Sequence, residues 1–194
     1  MGSPLYFKYR ILTLDTEDGT IDLRDNRYKA LHRGGPLSLD HHRLLAMWAA
    51  ACAEHVLHLF AAQRPADQRP RQAIDTARAW ARGECRVGEA RAASVAAHAA
   101  AREVEEGAAR LAARAAGHAV ATAHMADHAP GAAMYAIRAV KAAAVKVDEK
   151  AVAQQEHGWQ SEQLPSAIRD LVLSTFKTKF SFLNLNLNLD KDVT

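Results

Sequence analysis

Residues 117–136, GHAVATAHMADHAPGAAMYA, place three histidines and an aspartate inside an otherwise alanine-rich stretch. His124 and His128 stand four residues apart, the spacing at which one helix face offers two imidazoles to a metal ion. Asp127 follows His124 by three and is placed to ligate directly or to orient a ring. His118 projects about a quarter to a third of a turn away, which suits a supporting partner better than a third ligand. There is no HExxH pattern, so a third ligand has to come from another helix, with His98, His55 or His58 as the candidates. The metal candidates are therefore His124, His128 and Asp127. The competing use of these rings is internal, each donating to a backbone carbonyl or carboxylate of a neighbouring turn.

Pro130 adds to this picture, because a helix running through it leaves the Ala126 carbonyl without its amide donor. A kink there, with Met134 and Tyr135 packed beside it, is the expected place for a pocket. The ligand-binding candidates are His118, His124, Asp127, His128 and Tyr135.

Two further constellations carry chemistry-bearing side chains. Cys52, His55 and His58 recur at intervals of three, superficially a nucleophile near a base. Glu54 points elsewhere, so no local acid orients the imidazole, and the expectation for Cys52 is structural. Arg69, Arg71, Arg78 and Arg82 with Trp80 form the other set, and Arg71–Asp75 and Asp75–Arg78 are spaced for surface ion pairs. Arg and Trp are also the residue types favoured at binding hot spots, so Arg71, Arg78, Trp80 and Arg82 are the partner-binding candidates. No phosphate loop, GxSxG elbow, kinase signature or EF-hand loop occurs, and no catalytic set is assigned.

These side chains have to be held by helices. The composition is 49% apolar but only 6% aromatic, so the favoured body is one in which helices approach closely through small side chains. Ser38 opens a helix expected to reach about Ala62. Pro70 sits in the first turn of a second that stops near Gly83. Gly88 and Gly107 punctuate two more, Pro130-Gly131 interrupts or kinks the next, and Leu164-Pro165 precedes a closing helix. The expected fold is mainly α, an alanine-rich bundle of six or seven helices.

The ends read differently. Phe7, Tyr9 and Ile11 alternate with Lys8 and Arg10 before a turn at Gly19, a hairpin signal, and Arg33-Gly34-Gly35-Pro36 reads as a linker. The tail FKTKFSFLNLNLNLDKDVT alternates Leu183, Leu185, Leu187 and Leu189 with asparagines at the strand period. An uncharged strand of this kind invites edge pairing. The hairpin and tail are therefore expected to form a small β element, within one chain or across a homodimer. The expected organisation is an arm and linker over residues 1–36, a helical domain over 37–176 and a strand or tail over 177–194.

The 25 basic residues are offset by 22 acidic ones spread along the chain, unlike the clustered footprint of a nucleic-acid binder. Cys52 and Cys85 have no metal-type spacing and suit a reducing compartment. The start MGSPLYFKYR has no apolar run behind its charges, and no run of about eighteen apolar residues occurs, so neither secretion nor membrane spanning is expected. The expected location is the cytoplasm.

The blocks LDHHRLLAMWAAACAEHVLHLF, QRPRQAIDTARAWARGE, ARAAGHAVATAHMADHAPGAAMYAIRAV and LPSAIRDLVL, over about residues 39–173, resemble a family of alanine-rich, mainly actinobacterial proteins labelled putative immunity proteins of polymorphic-toxin systems. The resemblance implies a non-catalytic binder that neutralises a protein toxin; no cofactor is expected, with a metal ion as the open alternative. The alternative from the residues themselves is a metal-dependent or small-molecule-binding enzyme or sequestering protein centred on His124 and His128.

Overall fold

The computed structural model describes residues 25–145, 147–183 and 185. Among these, eight α-helices follow in order: α1 (Leu39–His55), α2 (Leu57–Ala61), α3 (Arg69–Arg82), α4 (Val87–Arg102), α5 (Ala108–Ala121), α6 (Ala129–Ala143), α7 (Glu149–Glu162) and α8 (Ser166–Lys179). The protein is mainly helical, as expected, and two breaks raise the helix number. The first falls at Val56, where His58 Nδ1–H donates to the His55 carbonyl at 3.1 Å and replaces the amide that a continuous helix supplies. The second falls after α6, where Asp148 caps α7 by accepting the Lys150 amide at 2.9 Å.

Local chemistry sets most of the other boundaries. Ser38 Oγ accepts the His41 amide at 3.2 Å and caps α1. Pro70 lies in the first turn of α3, where its missing N–H costs nothing, and Gly83 closes that helix with φ 82°, a left-handed conformation that glycine takes without strain. Pro130 also begins a helix. It sits in the first turn of α6, and the kink expected there is replaced by a clean break between α5 and α6.

α5 is the central element, packed against α1, α2, α3, α4 and α6. Its buried residues are seven alanines, Gly117 and Val120, whose small volumes allow neighbouring axes to come close. Leu45, Trp48, Phe60, Ile74, Ile137 and Ile168 supply the larger core side chains. Residues 25–37 fold against this body: Tyr28 and Leu37 join the core, and the Tyr28 hydroxyl meets Thr175 Oγ1 of α8 at 2.9 Å.

No strand occurs among the described residues; Ala30 and Leu37 form an isolated bridge. The expected β element is not supported. Lys177–Lys179 belong to α8 and Ser181–Leu183 form a 3₁₀ turn, because Phe176, Phe180 and Leu183 recur at helical intervals and pack as such. The expected hairpin and nearly all of the LNLNLNL segment lie outside the described residues. No helix among the described residues is long and apolar enough to cross a membrane.

Candidate functional site

The histidines of the 117–136 segment are not on one helix. α5 ends at Ala121, Thr122 Oγ1 bonds back to the His118 carbonyl at 3.2 Å, and Met125 is extended before a 3₁₀ turn over Ala126–His128. The Thr122 carbonyl is taken by His42 Nε2–H of α1 at 2.6 Å, so a tertiary hydrogen bond terminates the helix that local periodicity would extend. The shared helix face expected for His124 and His128 therefore does not exist.

Instead a chain of four imidazoles crosses three elements. Ring centroids are 5.4 Å apart for His98 and His118, and 5.2 Å apart both for His118 and His128 and for His124 and His128. His118, expected to be peripheral, is the hub. It also lies 4.9 Å from the Tyr135 ring, and its Nδ1 meets His128 Nδ1 at 3.3 Å, one ring donating and the other accepting. Two glycines make room for the chain. A Cβ on Gly117 would fall 2.5 Å from His98 Cε1, and one on Gly131 would fall 3.0 Å from His118 Nδ1.

His98, His118 and His124 are held neutral. Burial lowers the pKa of His98 to about 4, with the positive fields of Arg114, His128 and Arg102 adding to the effect. Burial, then His128, His98 and Arg114, lowers His118 to about 3. Burial, then His128 and Arg91, lowers His124 to about 4, with Asp127 opposing. Arg114 Nη1 donates to His98 Nδ1 at 3.3 Å, which assigns that nitrogen as an unprotonated acceptor. Among the described residues, no three His, Cys, Asp or Glu side chains gather closely enough to hold a metal ion.

His124 and Asp127 line a cavity of about 400 Å³ between residues 25–33 and the turn that links α5 to α6. His42, Tyr28, Lys29 and Arg33 contribute to the same wall. His124 Nδ1 is buried with no protein partner among the described residues. The cavity therefore combines two cations, Lys29 and Arg33, with two carboxylates, Asp25 and Asp127, and neutral imidazoles, a set that suits a small polar ligand better than an apolar one. His118, His128 and Tyr135 do not line it and belong to the ring chain beside it.

The second constellation is rearranged by α7. Cys52 is fully buried, and burial, with Glu156 adding to it, pushes its thiol well above the ordinary value. His55 donates Nδ1–H to Glu156 Oε2 at 2.8 Å and stacks on Trp159 at 3.7 Å. Glu156 is thus the orienting acid missing from the local sequence. Its other oxygen accepts Gln160 Nε2–H at 2.8 Å, and the Gln160 carbonyl accepts Trp48 Nε1–H at 2.8 Å. A polar network ties α1 to α7, while the sulfur that would be the nucleophile is sealed away from reactants.

The α3 arginines are engaged as well. Arg71 and Arg78 both grip Glu54 of α1, and Asp75 lies 3.9 Å from Arg78. Arg69 pairs with Asp67 at 2.6 Å and Glu103 at 2.5 Å, and Arg82 pairs with Glu84 at 2.6 Å. Trp80 is only 9% exposed, its ring 4.8 Å from that of His42. Sequence spacing missed Glu54 and Glu156 as partners because both come from other helices. It also missed the ring chain, for which the available signal was the pair Gly117 and Gly131, each of which a histidine ring approaches closely.

No curated protein and no solved structure matches this chain. A family model described as Imm-5 like putative immunity protein matches residues 35–167, from the entry into α1 to the start of α8, and the chain belongs to that family.

Proposed function

We infer that this protein is an immunity-type binder that neutralises a toxin by direct association, acting in the cytoplasm. The membership carries this reading, since the matched residues include α1 to α7, the helices that present the candidate surfaces. The site chemistry is compatible with it. Cys52 is sealed, the Nδ1–H of His55 and the Nε2–H of His42 are committed to internal acceptors, and Arg71, Arg78 and Arg82 already hold carboxylates. The α3 arginines accordingly serve as scaffold in this reading. The test is co-expression with the toxin encoded beside it. Growth restored together with a stoichiometric complex supports the reading, and a toxin that stays active and unbound sinks it.

The cavity lined by His124 and Asp127 favours a second reading, a protein that sequesters or processes a small polar molecule. A ligand that raises the melting temperature in a dose-dependent way, with the shift lost in His124→Ala, selects it. A metal-dependent version requires stoichiometric metal in the purified protein that is lost in the same variant.

A further inference from the structure

We propose that the face formed by α4, α5 and α6 is the surface that receives the toxin, and that it does so by binding acidic side chains. This rests on the immunity reading and adds to it a surface and a partner chemistry. Arg91, Val95, His98 and Arg102 follow at intervals of four, three and four, and so form one stripe of α4. Arg114 and His118 form the adjoining stripe of α5, and Gly131, Tyr135 and Arg138 that of α6. The three stripes are in register. His98 contacts Arg114 and His118, His118 contacts Tyr135, and the Arg138 guanidinium lies 5.5 Å above the centre of the Tyr135 ring.

Four arginines thus surround an aromatic and imidazole centre, and none of Arg91, Arg102, Arg114 or Arg138 pairs with a carboxylate among the described residues. At the margins, Glu106 is held by Arg110 at 3.2 Å and Asp127 belongs to the cavity wall. The positive fields of Arg91, Arg102 and Arg114 all reach the ring chain and oppose its protonation, with Asp127 acting the other way at His124. A guanidinium binds a carboxylate through two parallel N–H donors; Arg114 spends one donor on His98, and the forks of Arg91, Arg102 and Arg138 hold no carboxylate among the described residues. Val95, 67% exposed, adds an apolar point within the arginine rim, and Tyr and Arg are the residue types that dominate binding energetics.

The experiment titrates the full chain with the toxin encoded beside it. It compares wild type, the double variant Arg91→Glu/Arg138→Glu, and the α3 control Arg82→Glu, with circular dichroism and melting recorded for each. Wild-type binding, lost on the order of 100-fold in the double variant and changed less than about threefold in the control, supports the proposal. Wild-type binding that survives in an equally well-folded double variant overturns the surface while leaving the immunity reading intact. A wild-type chain that does not bind the toxin overturns both. If Arg91→Gln, which removes the charge without reversing it, also leaves affinity unchanged, the arginines are not contacts. A single-stranded 20-mer oligonucleotide that binds wild type but not the double variant identifies phosphate as the occupant and overturns the acidic-protein assignment.

Discussion

Arg69, Arg71, Arg78 and Arg82 on α3 and Arg91, Arg102, Arg114 and Arg138 around the imidazole chain are one residue type at similar helical intervals, but their surroundings differ. On α3 every guanidinium has a carboxylate, two of them the shared Glu54 of α1. Around the imidazoles none of the four arginines pairs with a carboxylate among the described residues, and His98, His118 and His124 are pushed towards neutrality by burial and by neighbouring cations. Helical spacing alone made α3 the natural binding candidate. The ion pairs on α3, two of them to Glu54 of α1, are the ground for the opposite ranking in our proposal, because a guanidinium that already holds a carboxylate has less to offer a partner.

The largest expected effect that tests this contrast is acid. His98, His118, His124 and His157 have folded-state pKa values of about 4, 3, 4 and 4, below the ordinary 6.5, so the unfolded chain binds more protons once the pH falls below that ordinary value. Stability is then lost from about pH 6.5 downwards, by on the order of a few kcal/mol at pH 4 once solvent screening of the partly exposed rings is allowed for. Glu54 behaves differently. Its hydrogen bonds, led by that from Arg78, lower its pKa, and the stability it confers is lost only as pH falls below the ordinary carboxylate range. Hydrogen exchange between pH 6.5 and 4.5 should therefore open the α4–α5–α6 face before α3. Simultaneous opening would remove the contrast.

Packing gives the next effect. Gly117→Leu drives a side chain into His98 and should cost about 2 kcal/mol in chemical denaturation. Adding His98→Ala should recover part of that loss, and strict additivity of the two changes would show that they do not share space. A smaller effect is expected for Glu54→Gln, which leaves Arg71 without its counter-charge and Arg78 with only the more distant Asp75. It should lower stability by about 0.5–1 kcal/mol, since the carboxylate is partly solvated. Arg91→Gln should change stability least, by less than about 0.5 kcal/mol, because it breaks no internal ion pair. A loss from Arg91→Gln as large as that from Glu54→Gln would assign both arginine sets to the scaffold.

Much of the helical layout was legible because its signals are local. Ser38 caps, Pro70 begins and Gly83 ends their helices through hydrogen bonds and dihedral angles made within a few residues. The candidate site was legible in residue type and not in geometry. The four-residue spacing of His124 and His128 suggested a common face, but His42, eighty positions before Thr122, captures the carbonyl at the end of α5 and turns the chain there. His118 was placed at the margin and stands at the centre because α4 and α6 bring His98, His128 and Tyr135 to it.

By itself the sequence determined an alanine-rich helical body, the positions of its strongest start and stop signals, and the family to which it belongs. Periodicity and capping act over one or two turns, so one chain suffices to reveal them. Only the tertiary structure decided which imidazoles meet, which arginines are neutralised and which remain available. Those outcomes depend on side chains far apart in sequence being brought within a few ångströms, where Coulomb and hydrogen-bond energies become large enough to choose between scaffold and surface.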